Sequence, residues 1–239
     1  MNTVKIDKYF KGMIAHRGLS GIETENTINS FTAAANRSYY GMECDIQPTK
    51  DNNLVISHDD TLLRLGLLNL FIPSFRYEEI RKFSLIDRKT GNLSENIYIP
   101  LFTDYLLICK TYKKHAIIEL KGNLTNDHID DLIRIIRSMG MTEKSTLISF
   151  VDRYLLYVKK NYPEFDLYLL AGQANDKVLE FCEKNQINLD VRFDAVDDTL
   201  LKRLHLIGLK VNAWTVDDKD TAEKLIKLGI DYITSNILE

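Results

Sequence analysis

Residues 41–60 read GMECDIQPTKDNNLVISHDD and hold two apolar runs, GMECDI at 41–46 and LVISH at 54–58. Only the eight residues IQPTKDNN separate Asp45 from the second run. Parallel neighbours in a sheet need a crossover of about a dozen residues or more, so LVISH is expected to be a local extension or hairpin partner of the strand before it. That reading fixes the count. Setting LVISH aside leaves eight strand candidates: GMIAH at 12–16, GMECDI, HAIIEL at 115–120, TLISF at 146–150, DLYLLA at 166–171, INLDVRF at 187–193, KVNAWTV at 210–216 and DYITS at 231–235. Between most of them lie stretches with apolar residues at helical spacing, such as TINSFTAAANRSY, with Thr27 as the expected N-cap, and NDHIDDLIRIIRSMG. Eight βα repeats are the number that closes a (β/α)8 TIM barrel, whose chemistry sits in the loops after the strands.

The composition agrees with a folded, core-forming chain. Its 239 residues include 45% hydrophobic and 27% charged side chains, enough for a single barrel domain over 1–239. A net charge of −3 gives no overall electrostatic reason to expect nucleic acid or an anionic membrane surface. No apolar run approaches the length of a transmembrane helix, and MNTVKIDKYFKG carries charges where a secretory signal needs an apolar stretch. Cys44, Cys109 and Cys182 show no CxxC spacing, which suits a reducing cytoplasm, the expected location.

Ionisable residues recur at the downstream ends of these strands. His16-Arg17-Gly18 ends the first, Glu43 and Asp45 lie on the second, His58-Asp59 ends its extension, and Glu119 and Lys121 lie on the third. Strand periodicity puts Glu43 and Asp45 on one face and Cys44 on the other. Three carboxylates brought together repel unless a cation joins them, and oxygen ligands suit a hard ion such as Mg²⁺ or Ca²⁺. Ordinary ion pairs, Glu43 with Arg17 and Glu119 with Lys121, are the alternative. His16 and His58 could meet across the barrel mouth, and imidazoles exchange protons near neutral pH. His115 begins a strand at the wrong end, and His128 and His205 fall in helices.

AHRG at 15–18, ENTINSFTAAA at 25–35, GMECDIQPTKDNNLVISHDDTL at 41–62, IELKG at 118–122, VNAWTVDD at 211–218 and GIDYITSN at 229–236 together resemble the glycerophosphodiester phosphodiesterase family along nearly the whole chain. The resemblance implies a (β/α)8 barrel with a small insertion, and hydrolysis of glycerophosphodiesters to sn-glycerol 3-phosphate and an alcohol with a divalent cation. It implies Glu43, Asp45 and Glu119 as metal ligands and His16 and His58 as the acid–base pair. Arg17 and Lys121 become phosphate contacts, Asn26 a supporting residue and Trp214 a wall for the glycerol portion, with Phe150 a weaker second. The expected partner is a small glycerophosphodiester, with no nucleic acid and no stable membrane insertion.

The stretch between LVISH and HAIIEL is too long for one βα connection, so an insertion is expected over approximately 59–100, with a helix following it. Its run LGLLNLFIP at 65–73 is apolar enough to be buried, against the barrel or against another subunit of a homo-oligomer; a lid over a lipid-like substrate is the alternative. The resemblance is weakest here, because after HDDTL the paired threonines common in the family are missing while Arg64 remains. Lysophospholipid or glycerol-phosphate glycan substrates are therefore alternative readings. A noncatalytic phosphodiester-binding barrel is disfavoured because both histidines and all three carboxylates are present.

Overall fold

The computed structural model describes residues 2–239. Strands and helices alternate as β1 (Met13–Ala15), α1 (Ile28–Ala35), β2 (Gly41–Pro48), β3 (Leu54–Ile56), α2 (Leu63–Gly66), α3 (Tyr77–Ile80), β4 (Leu85–Ile86), β5 (Leu93–Ser94), α4 (Phe102–Thr111) and β6 (His115–Leu120). The chain continues with α5 (Asn126–Ser138), β7 (Ser145–Ser149), α6 (Asp152–Asn161), β8 (Asp166–Ala171), α7 (Asp176–Asn185), β9 (Asn188–Arg192), α8 (Asp198–Leu206), β10 (Val211–Trp214), α9 (Lys219–Leu228) and β11 (Tyr232–Ser235). Eight strands pair in parallel in the order β1-β11-β10-β9-β8-β7-β6-β2, and β2 returns to β1 to close the barrel. β3 pairs antiparallel with β2, Ile46 opposite Ile56 and Pro48 opposite Leu54, so LVISH is the hairpin partner its short spacing predicts.

Local sequence explains the helices. Thr27 caps α1, its hydroxyl accepting from the Ser30 amide, and Ser30 Oγ accepts in return from the Thr27 amide. In α5, Ile129, Leu132, Ile133 and Ile136 recur at helical spacing and are all buried, facing the barrel. Most of the core lies in this layer between strands and helices, with Cys44, Phe31 and Tyr105 fully buried in it. A smaller cluster of Ile14, Ile117, Ile148, Tyr168 and Leu170, with Trp214 and Tyr232 against it, fills the barrel interior beneath the mouth. Among the described residues, no helix is long and apolar enough to cross a membrane.

The insertion has its own apolar cluster of Val55, Leu62, Ile72, Tyr77, Ile80, Leu85, Ile97 and Ile99. The expectation that LGLLNLFIP is buried holds only in part. Gly66 and Ile72 are buried and Leu65 and Leu70 pack on the cluster, but Leu67, Leu68 and Phe71 are 64%, 39% and 48% exposed. The reason is geometric: a short α2 and the turn after it have one inner face, and nine mostly apolar residues exceed what that face can cover.

Candidate active site

The carboxylates come from adjacent strands. Asp45 on β2 stands opposite Glu119 on β6, and Glu43 lies two residues earlier on the same face of β2. All three are buried, and one oxygen from each can be chosen within 4.8 Å of the others. The alternative of two simple ion pairs describes only part of what forms. Lys121 Nζ lies 3.3 Å from Glu119 and 3.5 Å from Asp45. Glu43, by contrast, accepts from the Arg17 backbone amide at 2.8 Å, while the Arg17 guanidinium pairs with Glu25 at 2.8 Å and approaches Asp45 to 3.4 Å.

Arg17 and Asn26 reach these contacts from left-handed backbone, with φ of 54° and 55°. Asparagine tolerates that region; for arginine it costs of the order of 1 kcal/mol, and the contacts to Glu43 and Glu25 hold it. Gly18 follows at φ +71°, where an added Cβ would sit 2.5 Å from Ser30 Oγ, so the chain turns tightly against the start of α1. The same turn brings Asn26 Nδ2 within 2.7 Å of Asp45 Oδ2.

Charge is distributed unevenly over the cluster. Burial raises the pKa of Glu43 well above the ordinary carboxyl value, with Asp45 adding to the rise. Burial and Asp45 likewise push Glu119 up to about 8, against the pull of Lys121. Burial acts in the same direction on Asp45, but Arg17, Lys121, His58 and the Asn26 amide outweigh it and hold its pKa low. Asp45 Oδ1 and Asn26 Oδ1 are buried without hydrogen-bond partners. Three converging carboxylates, one with a buried unpartnered oxygen, beside the unpartnered Asn26 amide oxygen are a donor set that fits a hard divalent cation.

His16 and His58 line one pocket with Glu43, Glu119, Arg17 and Lys121, and their two hydrogen-bond networks differ. His16 Nδ1 lies 2.8 Å from Asn236 Oδ1, which also accepts from Ser20 Oγ, while Asn236 Nδ2 donates to Asp217 at 2.6 Å. With the amide fixed that way round, His16 Nδ1 must carry the proton, which leaves Nε2 as a free acceptor. Burial, and next the Arg17 guanidinium, lower the His16 pKa. His58 Nδ1 is bonded to Asp59 at 2.6 Å. The loop that carries it is pinned by Gln47 Nε2, which donates to the carbonyls of Ser57, His58 and Asp59.

Arg64 on α2 joins these parts. Its Nε donates to Asp59 at 2.7 Å and its two terminal nitrogens donate to both oxygens of Glu25 at 2.8 and 2.7 Å. Across the mouth, Trp214 stacks edge-on with Phe150 at 5.6 Å, and its Nε1 donates to the Asp190 carbonyl at 3.1 Å. The pocket between these walls opens to solvent at the mouth of the barrel.

The structure therefore brings His16, Arg17, Asn26, Glu43, Asp45, His58, Glu119, Lys121, Phe150 and Trp214 together around one mouth. His115 lies away from it, at the start of β6, against Tyr40 and Thr146. Sequence reasoning gave no role to Glu25, Gln47, Asn236 or Asp190. Glu25 and Asn236 sit inside motifs already quoted, ENT and ITSN; Gln47 continues the inward alternation of Glu43 and Asp45.

Acid–base groups, cations and clustered carboxylates at the ends of the strands of a (β/α)8 barrel are the arrangement of barrel enzymes. Residues 16–238 match the model of the glycerophosphoryl diester phosphodiesterase family, and the chain belongs to that family. It is 30% identical over 227 residues to a glycerophosphodiester phosphodiesterase of Caldanaerobacter subterraneus subsp. tengcongensis, covering 94% of this chain and 93% of that one. Human glycerophosphodiester phosphodiesterase 1 is 24% identical over 262 residues, covering 95% of this chain and 78% of that one. In fold, it superposes on an Oleispira antarctica phosphodiesterase solved with its product sn-glycerol-3-phosphate, with a TM-score of 0.87 at 23% identity, covering 98% and 96% of the two chains.

Proposed function

We propose that this chain hydrolyses glycerophosphodiesters to sn-glycerol 3-phosphate and an alcohol. The observation that carries the reading is one pocket lined by two imidazoles, two cations, Glu43 and Glu119, with the buried carboxylate of Asp45 clustered beside them. Family membership supports the same reaction class.

Glu43, Asp45 and Glu119 would hold a divalent cation, Mg²⁺ or Ca²⁺. An ion held there would offset the carboxylate charges and supply Lewis acidity toward the phosphate. Arg17 and Lys121 bind the nonbridging oxygens, Asn26 keeps Asp45 in place, and Trp214 and Phe150 cover the carbon atoms of the substrate. His16, neutral and with Nε2 free, takes the proton of the glycerol 2-hydroxyl as it attacks phosphorus, and water opens the resulting cyclic phosphate to sn-glycerol 3-phosphate in a second step. His58, whose added charge Asp59 can balance, gives a proton to the departing alkoxide. Asn236 and Asp59 fix the two rings by their Nδ1 atoms and leave each Nε2 for the reaction.

The test is glycerol 3-phosphate release from a panel of glycerophosphodiesters by metal-stripped protein, before and after restoring Mg²⁺, Ca²⁺, Mn²⁺ or Co²⁺ singly. Loss on stripping and recovery with a divalent ion are expected. Full turnover after verified metal removal would overturn metal dependence, and no release under any condition would overturn the activity. Glu43→Gln and Glu119→Gln should each weaken metal binding in calorimetry as well as turnover.

A further inference from the structure

The tautomer of His16, on which its work as a base depends, is set by an amide, and an amide has two different ends. His16 Nδ1 faces Asn236 Oδ1 at 2.8 Å, and Ser20 Oγ donates to the same oxygen at 2.6 Å. Turned end for end, the Asn236 side chain would present its NH2 group there instead. His16 Nδ1 would then have to accept, the ring proton would sit on Nε2, and Nε2 could no longer take one. Ser20 does not decide between the two, since a hydroxyl donates or accepts with equal ease.

The deciding contact comes from a third segment. His16 follows β1, Asn236 follows its neighbour β11, and Asp217 lies in the loop after β10, the next strand around the barrel. Asp217 Oδ1 accepts from the Asn236 backbone amide at 2.8 Å and from Ser235 Oγ at 3.0 Å, while its Oδ2 accepts from Asn236 Nδ2 at 2.6 Å. An ionised carboxylate only accepts, so the end of the amide that meets Oδ2 must be the donor, and the oxygen end is left for His16. The Asn236 backbone is held as well. Its carbonyl accepts from the Gly21 amide at 2.8 Å, and an added Cβ on Gly21 would lie 2.6 Å from that oxygen, so a mismatch at the side chain has to be resolved by turning the amide.

We infer that Asp217 is a positioning residue that acts through Asn236 to hold the His16 proton on Nδ1. The inference deepens the role of His16 as the base and rests on that reading for its effect on turnover, while the place of the proton can be observed without it.

Asp217→Asn is the first test. The new carboxamide keeps its oxygen toward the Asn236 backbone N–H, which cannot turn, and so sets its NH2 group against Asn236 Nδ2. Two donors repel, Asn236 turns over, and the His16 proton moves to Nε2. Proton–nitrogen NMR correlation of isotope-labelled histidine, recorded at about pH 9 so that the rings are neutral, shows which ring nitrogen is protonated. The His16 signals are assigned by their loss in His16→Ala. Wild type should carry the proton on Nδ1 and folded Asp217→Asn on Nε2, with kcat lower by roughly 10²–10⁴-fold and KM changed much less. In the double variant Asp217→Asn/Asn236→Asp the carboxylate and the amide change places, so an acceptor again meets His16 Nδ1. The proton should return to Nδ1, with kcat regained to within about tenfold of wild type. A role confined to bracing the loop would lower kcat or stability without moving the proton. A proton that stays on Nδ1 in folded Asp217→Asn overturns the inference, and so does one found on Nε2 in the wild type, a measurement that needs no variant to fold. Spectra that follow the expected pattern in a protein that releases no glycerol 3-phosphate would support the coupling and overturn the hydrolytic reading alone.

Discussion

At the scale of single residues, the two histidines are distinguished by what holds their Nδ1 atoms. An amide oxygen holds His16, so the ring has a neutral partner, and burial and Arg17 disfavour its charged form. A carboxylate holds His58. The proposed division into base and acid rests on this difference, and the leaving group tests it. His58→Ala should lose roughly 10²–10⁴-fold in kcat/KM on glycerophosphocholine and recover much of that on an aryl glycerophosphodiester, whose phenolate departs without a proton. His16→Ala should stay impaired on both. The opposite pattern would exchange the roles, and near-wild-type turnover in either folded variant would remove that histidine from the reaction. These positions were legible in the sequence because strand ends and alternation fix which side chains face the mouth. Their partners were not. Asn236 reaches His16 from 220 positions away and Arg64 meets Glu25 across 39, separations that no local pattern encodes.

At the scale of elements, the eight parallel strands and the β2–β3 hairpin were readable because their apolar runs are short and bounded, and the connection lengths admit few topologies. The insertion was less readable, since hydrophobicity gives the tendency to bury but not which face of a four-residue helix points inward. Ile72 is fully buried in the insertion's cluster, so Ile72→Ala should destabilise by about 2–4 kcal/mol. Leu67, 64% exposed, should tolerate serine with a change within about 0.5 kcal/mol. Urea unfolding of both variants checks this, and equal losses would mean that Leu67 is covered in solution. The same α2 presents Arg64 to Asp59 and Glu25, which makes the insertion part of the site's scaffold. Arg64→Ala should therefore lower kcat about tenfold or more with only a small effect on stability, because it loosens the groups behind His58 and Arg17 together. Lysine, which lacks the planar fork, should restore only part of that activity. Unchanged kcat in folded Arg64→Ala would show that the network does not orient the site.

At the scale of the whole molecule, the barrel closes at its shortest strand. β1 has three residues, and its register with β2 is only Ile14 opposite Gly41 and Ala15 opposite Met42. Residues 3–6 and 237–239 reinforce that seam, with Val4 and Glu239 exchanging backbone hydrogen bonds with Glu239, Ile237 and Ile6. The Glu239 carboxylate is the hub. It accepts from the Ser38 amide and hydroxyl, each at 2.8 Å, and from Thr3 Oγ1 at 2.7 Å, and it pairs with Lys5 at 2.8 Å. Burial acts to raise its pKa, but Lys5, the Ser38 amide and the two hydroxyls outweigh that and hold it at about 2, below its ordinary 4.5. A carboxyl with a depressed folded-state pKa contributes stability that is present above its unfolded value and is lost as pH falls through the folded one. Glu239→Gln should thus cost about 1–3 kcal/mol at pH 7, since a neutral amide cannot replace the charged acceptor. The difference between wild type and variant should shrink steadily from pH 5 toward pH 2. Urea unfolding of both proteins at a series of pH values measures it, and a difference that stays constant across that range would mean that the carboxylate does not bear on closure of the barrel.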